Sequence, residues 1–425
     1  MKILIKGGHV VDPANNRDEV CDILLEGTKI AKIAKKINCA AEKSIDATDK
    51  IVMPGLIDMH VHLREPGRED QETVASATSA ALKGGITSVL AMPNTSVPID
   101  CAENAELLKA IIKKTAHATV LIAGTITEGR RGEKLTNIAK LKKGGVIAIS
   151  DDGSSVDNGQ LLLKVLKLAK ENKLLVICHS EDKALSGHGM VNSGITSTRM
   201  GLRGISSESE YKRVQRDVGL AEKAKAPIHI AHVSCKESVE IIRKAKKIGI
   251  KVTAETAPHY FALTEQEVLG FDTNMKMNPP LRNRDDAEVI KQGLRDGTID
   301  AIASDHAPHT ESEKDIEFER AQFGVIGLET ELAASVTELV EKEVLDWTGL
   351  VRKLAVNPAK ILGIDKGTLG IGCDADIIVV APEEEWLVEK NRFLSKSKNS
   401  PFIGKKLKST VEYTICQGKI VYPFR

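Results

Sequence analysis

The sequence predicts an α/β protein: a (β/α)8 TIM barrel that carries a small β-sandwich module formed by both termini. Three observations support this prediction. Eight apolar runs alternate with helix-length segments in the middle of the chain, both ends show short strand patterns, and 425 residues suit one barrel with an extra module. Such alternation is typical of a parallel sheet that helices cover on both faces.

The two ends of the chain are predicted to pair into the small module. Strand-like patterns begin the chain as ILIKGG, CDILLEG and TKIAKIAK, with a hairpin turn at Glu26-Gly27. The patterns DADIIVVAP and VEYTICQGKIVYPF end it, with a turn signal at Gln417-Gly418. We therefore assign residues 1–52 and 361–425 to the β module and residues 53–360 to the barrel.

The barrel strands are predicted from apolar, β-branched runs between Ile51 and Asp305. In order these runs are IVMPGLIDM, ITSVLAM, TVLIAG, VIAIS, LLVICH, PIHIAH, IKVTAET and IDAIASD. An open doubly wound sheet is the alternative, but no G-x-G-x-x-G follows any run, which disfavours it.

Amphipathic segments between the runs predict the outer helices. In QLLLKVLKLAK, lysines at 164, 167 and 170 form one polar stripe on an apolar helix. In ESVEIIRKAKKIGI, helical spacing relates Ile241, Ile242, Ala245 and Ile248.

Composition excludes several classes of partner. The net charge is +1, from 60 basic and 59 acidic residues, which gives no sign of a nucleic-acid or membrane surface. No apolar run approaches the ~20 residues of a membrane span, and the N-terminus lacks a signal-peptide pattern. The 7 cysteines form no C-x-x-C pair, which favours reduced thiols and a cytoplasmic location.

Polar side chains end most of the predicted strands, where barrel enzymes hold their active sites. The strand ends carry His60 and His62, Asn94, Asp151-Asp152, His179, His232 and Asp305. A single histidine at such a place is more often structural, and an aspartate often caps a helix. Two histidines in H-x-H spacing point to the same side of a strand, and convergence of the whole set on one rim predicts a metal centre.

Imidazole and carboxylate ligands suit zinc, and a catalytic zinc keeps an open position for water. Six protein ligands exceed what one ion needs but suit two metals that share a bridging carboxylate and a hydroxide. His60, His62 and Asp305 would bind one ion, and His179 and His232 the other. Either aspartate of the SDDG segment could bridge them.

Substrate-binding candidates lie on the same predicted rim. Arg64 follows His62 by two residues and suits a carboxylate, although it could instead be a surface arginine paired with Glu65 or Glu69. Asn94, Asn278 and His309 follow strands or lie in neighbouring loops. His188 fits an exposed loop.

Seven motifs together resemble the class I dihydroorotases, which are cyclic amidohydrolases like the hydantoinases and allantoinases. They are PGLIDMHVHLREPG, AMPNT, DDGSSV, CHSED, HIAHVS, NPPLR and ASDHAPH, in order over nearly the whole chain. PGxxDxHxH marks only the superfamily, whereas HLREPG with DHAPH and the PNT asparagine is more specific.

The resemblance implies a hydrolase that reversibly interconverts N-carbamoyl-L-aspartate and L-dihydroorotate in de novo pyrimidine (UMP) biosynthesis, with two zinc ions per subunit. It assigns His60, His62, His179, His232 and Asp305 as metal ligands, and Asp152, rather than Asp151, as the carboxylate that bridges the ions together with a hydroxide. Asp305 would also be the catalytic acid and base. Substrate binding would fall to His62, Arg64, Asn94, Asn278, His309, Phe323 and Gly324.

Many relatives bridge their metals with a carboxylated lysine after the fourth strand, where this chain has aspartate. Lys142 and Lys143 precede that strand, so we expect no carboxylated lysine. The rival functions are a hydantoinase or allantoinase acting on a neutral ring, and an inactive partner of aspartate transcarbamoylase. We expect a homodimer with a small-molecule substrate, and leave association with aspartate transcarbamoylase open.

Overall fold

The structure is a computed structural model that describes residues 1–424. Its strands are β1 (Lys2–Asp12), β2 (Arg17–Glu26), β3 (Lys29–Ala34), β4 (Lys43–Asp46), β5 (Ile51–Pro54), β6 (Leu56–Val61), β7 (Ile86–Ala91), β8 (Thr119–Gly124), β9 (Ala148–Ile149), β10 (Leu175–Cys178), β11 (Val191–Asn192), β12 (Gly204–Ile205), β13 (Ile228–Ile230), β14 (Val252–Thr256), β15 (Ala301–Ile302), β16 (Ile377–Leu387), β17 (Lys406–Cys416) and β18 (Lys419–Tyr422).

The α-helices lie mostly between barrel strands. They are α1 (Val74–Lys83), α2 (Ala102–Thr115), α3 (Ile138–Lys143), α4 (Gly159–Glu171), α5 (Lys183–Ser186), α6 (Ile195–Met200), α7 (Glu208–Ala224), α8 (Lys236–Lys247), α9 (Pro258–Ala262), α10 (Arg284–Asp296), α11 (Glu311–Lys314), α12 (Glu331–Ser335), α13 (Trp347–Val351) and α14 (Asn357–Leu362). Single π-helical turns continue α12 and α13.

Eight parallel strands form the barrel in the order β6, β7, β8, β9, β10, β13, β14 and β15. The ring closes beyond β15, where Val61 of β6 pairs in parallel with His306. The His62 amide also donates to the His306 carbonyl across this seam at 2.9 Å. The predicted (β/α)8 barrel is confirmed.

The second large sheet joins both ends of the chain in the order β18, β17, β16, β5, β1, β2 and β3, with β4 beside β1. The C-terminal strand β16 pairs antiparallel with β5, so that Val379 faces Val52. Fully buried Ile3, Ile23 and Ile377 contribute to its core. The predicted β-sandwich module formed by both termini is confirmed.

The first predicted barrel strand is wrong in one respect, because the run from Ile51 to Met59 contains two strands. β5 belongs to the module and β6 to the barrel, and Gly55 separates them. A Cβ on Gly55 would lie 2.3 Å from the Thr87 hydroxyl oxygen, so only glycine fits where the chain passes between the sheets. The proposed division between residues 52 and 53 therefore falls inside β5.

Helix packing follows the predicted stripes. In α4 the lysines at 164, 167 and 170 are exposed, and Val165 and Leu166 are buried against the barrel. In α8, Ile242 and Ala245 are buried, but Ile248 lies past the last helical residue and is 71% exposed. The expectation that Ile248 extends the apolar face is wrong for that reason.

The barrel interior is filled by small and medium apolar side chains, including Ile57, Met59, Leu90, Met92 and Ile177. This layer of apolar side chains lies below the carboxyl ends of the strands. None of the helices within residues 1–424 has the length and hydropathy that crossing a membrane requires.

Candidate metal centre and active site

The barrel brings the strand-end residues to one rim. His60 lies in β6 and His62 directly after it, while Asp152, His179, His232 and Asp305 follow β9, β10, β13 and β15 by one to three residues. Because all eight strands are parallel, their carboxyl ends meet at the same mouth. Five of the six side chains belong to buried residues, and the Asp305 side chain is 13% exposed.

Asp152 lies at the centre of this cluster. Four imidazole nitrogens lie 3.2–3.7 Å from its carboxylate oxygens: Nε2 of His60, His62 and His232, and Nδ1 of His179. Asp305 lies on the His60 and His62 side, with Oδ1 3.6 and 3.4 Å from their Nε2 atoms. The side chains expected to bind metal thus form one cluster with Asp152 at its middle.

Asp151 faces away from the cluster. Its Oδ1 accepts from the backbone amides of Ile126 and Thr127 at 2.8 and 3.1 Å, and its Oδ2 accepts from the Thr127 hydroxyl. These bonds tie the loop after β8 to the loop after β9. Of the two adjacent carboxylates, only Asp152 faces the imidazoles.

Buried polar partners set the orientation of three histidines. Nδ1 of His60 lies 2.7 Å from Oε1 of Glu255, and Nδ1 of His62 lies 2.7 Å from Oδ1 of Asn94. An acceptor at Nδ1 holds the proton there and leaves Nε2 directed at the cluster.

His179 has the opposite arrangement. Its Nε2 lies 3.3 Å from Oε2 of Glu181, and its Nδ1 lies 2.8 Å from Nε2 of His232. The acceptor at Nε2 leaves Nδ1 as the nitrogen that faces Asp152.

The electrostatics of the cluster favour bound positive charge. Burial opposes ionisation of Asp152, but His60, His179 and His232 hold its pKa well below the usual range. Burial likewise disfavours charge on His60, yet Asp152, Glu255 and Asp305 raise its pKa well above the usual range. Asp152 and its neighbouring carboxylates thus stabilise positive charge beside His60, where a cation would bind.

Two orphaned atoms show that the residues fit a metal. His60 Nε2 and Asp152 Oδ1 are buried and have no hydrogen-bond partner among the described residues. An unsatisfied buried polar atom costs ~1–3 kcal/mol, so such a pair calls for a ligand. Two triads, His60–Asp152–His232 and His60–His62–Asp305, each bring their ligand atoms within 4.8 Å of one another. This donor set suits zinc.

Beside the cluster lies a pocket of about 240 Å³, lined by Arg64, Arg68, Gln71, Asn94, Thr95, Ser96, His309, Glu313 and Gln322. Asn94 belongs to both the pocket and the metal cluster, since its side chain also contacts His62. Three of the expected substrate-binding residues, Arg64, Asn94 and His309, line this pocket together.

Arg64 makes no ion pair within residues 1–424, so the alternative of a surface arginine paired with Glu65 or Glu69 does not hold. Its Nε donates to the Pro308 carbonyl at 3.1 Å instead. Burial lowers the pKa of Arg64 to about 10, which still leaves it charged at neutral pH. The pocket therefore holds a charged guanidinium without a direct ion-pair partner, although the Asp305 and Glu313 carboxylates lie near enough to stabilise its charge.

His309 is neutral in this pocket. Burial, together with Arg64 and Lys314, lowers its pKa to about 3. Its Nε2 lies 2.8 Å from the Phe323 carbonyl, and its Nδ1 lies 3.2 Å from the Gln71 amide nitrogen. These partners indicate that Nε2 carries the proton and Nδ1 accepts.

Phe323 and Gly324 adjoin the pocket through His309. Gly324 has φ 129°, and a Cβ there would lie 2.8 Å from the Ala307 Cβ, so a side chain is excluded. Asn278 lies on the His179 side, where its Nδ2 donates to Oε2 of Glu181 at 3.3 Å.

Three site residues, Arg64, His232 and Asp305, have left-handed backbone conformations, with φ of 61°, 36° and 49°. Such a conformation costs a non-glycine residue ~1–3 kcal/mol and is typically retained where function requires it.

Sequence reasoning missed several supporting residues, including Glu255, Glu181 and Gln71. Glu255 ends the run IKVTAET, and its place near the end of a barrel strand was an available signal. Glu181 and Gln71 lie in loops, where strand periodicity gives no information. His306, next to Asp305, contacts Glu72 rather than the cluster.

A closed α/β barrel with imidazoles and carboxylates gathered at its mouth defines the class of metal-dependent barrel hydrolases. Comparison with known proteins agrees with this class. A family model described as dihydro-orotase-like matches residues 49–238, and one described as an amidohydrolase family matches residues 284–422.

Similarity to individual proteins shows which family of these hydrolases the chain belongs to. The chain is 50% identical over 420 residues to a protein of Elusimicrobium minutum named dihydroorotase, covering 99% of this chain and 97% of the relative. It is also 50% identical to a dihydroorotase of Geotalea daltonii, with 99% of each chain covered. The chain belongs to the dihydroorotase family, as its motifs predicted.

A solved structure of the L-hydantoinase (dihydropyrimidinase) of Arthrobacter aurescens has the same fold, with a TM-score of 0.89 and 25% identity over 99% of this chain and 95% of that one.

Proposed function

We propose that this chain is a dihydroorotase, which reversibly cyclises N-carbamoyl-L-aspartate to L-dihydroorotate in pyrimidine synthesis. The observation that carries the proposal is the position of a cationic pocket beside the metal cluster. Arg64 and His309 line that pocket, and Asn94 connects it to His62. Full-length relatives at 50% identity that bear the name dihydroorotase support it.

We infer that the site holds two zinc ions. One ion would be bound by His60, His62 and Asp305, and the other by His179 and His232. Asp152 would bind both ions. When bound, such ions polarise a carbonyl group and lower the pKa of water toward ~7. This arrangement would need no carboxylated lysine, since Asp152 would take the bridging place, and Lys142 and Lys143 are exposed at the end of α3.

Asp305 is proposed to move the proton. In the hydrolytic direction, the ring amide C–N bond breaks, the carbonyl carbon gains an oxygen from water, and the nitrogen gains a proton. A carboxylate oxygen of Asp305 would take the proton from water and deliver it to that nitrogen. The nearby imidazoles of His62, His60 and His232 outweigh burial and lower the pKa of Asp305 to about 2, so it starts as a base.

The substrate carboxylate is proposed to bind in the pocket. The Arg64 guanidinium can donate two parallel hydrogen bonds to it, and the Asn94 side-chain amide can donate one. Neutral His309 would line the pocket beside it, with its Nε2–H directed at the Phe323 carbonyl. His62, Asn278 and the backbone of Phe323 and Gly324 would complete the contacts to the ring. A charged substrate group is needed to neutralise Arg64.

The rival functions fit the pocket less well. A hydantoinase or allantoinase acts on a neutral ring and would leave the half-buried Arg64 guanidinium without a direct ion-pair partner. An inactive partner of aspartate transcarbamoylase is expected to have lost metal ligands, whereas all six positions are filled here. Dihydroorotase activity accounts for both the cluster of metal-binding side chains and the positive charge of Arg64.

The test is metal content and hydrolysis of dihydroorotate, hydantoin and allantoin on one purified sample. We expect two zinc ions per chain and turnover of dihydroorotate alone. Removing metal with a chelator should abolish turnover, and adding zinc should restore it. Faster turnover of hydantoin or allantoin would support the first rival, and metal-free protein without turnover the second.

The cellular location and the oligomeric state of the protein remain predictions. All seven cysteines are free, as expected for a cytoplasmic protein. Light scattering after size-exclusion chromatography, alone and with aspartate transcarbamoylase, tests the expected homodimer and any complex.

A further inference from the structure

The connection between β16 and β17 contacts two loops at the barrel mouth. Residues 393–400 of it, here called the mouth segment, lie against the loop after β6. Ser395 donates its hydroxyl to buried Glu72, the Lys396 amide donates to Glu72 Oε1 at 3.1 Å, and the Ser397 hydroxyl donates to the Gln71 carbonyl at 2.7 Å. The β-sandwich module therefore reaches the active-site rim directly.

Asn399 of the mouth segment joins two active-site loops. Its side-chain Oδ1 accepts from the His309 amide at 3.2 Å, and its Nδ2 donates to the carbonyls of Gly324 and Ala307 at 3.1 and 3.3 Å. Its own carbonyl accepts from the Ile326 amide at 3.0 Å. Asn399 is only 4% exposed, so bulk water does not reach the backbone groups that its side chain contacts.

The geometry requires both a donor and an acceptor at this position. One loop presents an N–H at His309, and both loops present carbonyls, at Ala307 and Gly324. A side-chain amide satisfies both kinds of group at once. An aspartate lacks the donor and would place negative charge against two carbonyls, while alanine would leave the His309 amide and the Ala307 carbonyl unpaired.

The same two loops already touch through His309 and Phe323, which lie 2.8 Å apart between Nε2 and carbonyl oxygen. Lys314 supports the second loop from within, because its Nζ donates to the carbonyls of Gln322 and Gly324 at 2.9 and 3.0 Å. The Ala307 amide also donates to the Val325 carbonyl at 2.8 Å, and Asn399 adds contacts to both loops from the module side.

We propose that Asn399 is a positioning residue that sets the spacing between His309 and the Phe323–Gly324 backbone, and with it the affinity for the substrate carboxylate. The proposal rests on the proposed function for its substrate. Small displacements of binding groups weaken recognition strongly, and Asn399 touches no metal ligand. Its loss should therefore act on substrate binding and spare the metal cluster.

The test compares wild type with Asn399→Asp and Asn399→Ala in dihydroorotate hydrolysis. We expect KM to rise about tenfold or more, as the loss of several buried hydrogen bonds implies, with kcat changed less than about threefold and metal content unchanged. Asn137→Ala is the matched control, since exposed Asn137 only caps α3. Asn399→Ser serves if the other variants do not fold.

Amide hydrogen exchange on the same proteins, measured without substrate, tests whether Asn399 holds the two loops in place. The amides of His309 and Ile326 should exchange faster in the variants, while those of the strands under the metal cluster should not. Unchanged exchange, a KM within twofold of wild type, or a loss of metal together with kcat would each overturn the proposal. Wild-type protein without dihydroorotate turnover would instead reject the proposed function.

Discussion

The chemistry of single residues in this site depends on which imidazole nitrogen is free. Glu255 and Asn94 each occupy one nitrogen of a histidine at the mouth, and Glu181 does the same for His179. The free nitrogens then face Asp152, the one carboxylate that all four imidazoles share. Removing a supporting acceptor should therefore weaken metal binding even though it never touches the metal.

Replacing Asp305 with asparagine tests its role as acid and base. Asparagine keeps the shape but cannot accept the proton, so kcat should fall ~10²–10⁴-fold while part of the bound metal remains. Steady-state kinetics and metal analysis of the same sample measure both effects. Exposed Asp285→Asn is the control, and near-normal turnover in Asp305→Asn would remove the assignment.

Arg64→Met tests the binding of the substrate carboxylate. Loss of a charge-assisted hydrogen bond worth ~1.5–3 kcal/mol should raise KM by ~10–150-fold, with a smaller change in kcat. Arg320→Met provides a matched control, because Arg320 is exposed and pairs with Glu317. An unchanged KM in Arg64→Met would exclude this arginine as the carboxylate ligand.

His259 should make stability depend on pH. It is 2% exposed, and burial lowers its pKa to about 4, against ~6.5 in the unfolded chain. Between these values the unfolded chain binds more protons, so stability falls as pH decreases through this window. Its contribution to the loss of unfolding free energy between pH 7 and pH 5 is about 2 kcal/mol.

Urea unfolding of zinc-loaded protein at the two pH values measures this effect. His259→Asn should reduce the difference between pH 7 and pH 5 by that amount, whereas exposed Asn137→Ala, which removes no titratable group, should leave it unchanged. An equal pH dependence in wild type and His259→Asn would contradict the assignment.

At the scale of secondary-structure elements, close backbone contact fixes how α1 packs. Gly84 ends α1, and a Cβ there would lie 2.1 Å from the Leu328 carbonyl oxygen. Gly84→Ala should lower stability by ~1–3 kcal/mol through overpacking. In contrast, Gly219→Ala inside α7 meets no atom within 4 Å and should stabilise by ~0.5–1 kcal/mol.

Thermal unfolding midpoints of the two glycine variants compare these effects directly. The midpoint should fall for Gly84→Ala and rise slightly for Gly219→Ala. A midpoint for Gly84→Ala at or above that of wild type would show that the Leu328 segment can move away without cost.

The elements could largely be predicted from the sequence because buried parallel strands are apolar runs and outer helices are amphipathic. The break at Gly55 was missed because β5 and β6 are both buried and no change in hydropathy marks the passage between sheets, although the Pro54-Gly55 pair was an available signal. The pairing of β5 with β16 also joins residues more than three hundred positions apart, which local patterns do not encode.

The residues of the candidate site also fall into those that the sequence predicts and those that it does not. His60, His62, Asp152, His179, His232 and Asp305 could be located because each follows a recognisable strand or belongs to a family motif. Gln71 and Asn399 could not, because they lie in loops whose course depends on tertiary packing. Glu181 lies in the motif CHSED, but its contact with His179 could not be predicted from the motif. Their importance becomes visible only through contacts between distant segments, such as that of Asn399 with Gly324.

At the scale of the whole molecule, the two modules form one functional unit. The chain leaves the β-sandwich module at β5, builds the barrel, and returns at β16, so strands from both ends of the chain share one sheet. The mouth segment then reaches back over the barrel rim, where Glu72 and Gln71 bind it. Stability of the module and geometry of the active site should accordingly be linked.

The central claim is that six side chains distant in sequence hold two metal ions at one mouth of the barrel. Anomalous diffraction at the zinc edge, on crystals of zinc-loaded protein, tests it most directly. We predict two peaks ~3.5–4 Å apart, one beside His60, His62 and Asp305, the other beside His179 and His232, with Asp152 touching both. A single peak, or peaks away from Asp152, would contradict the account.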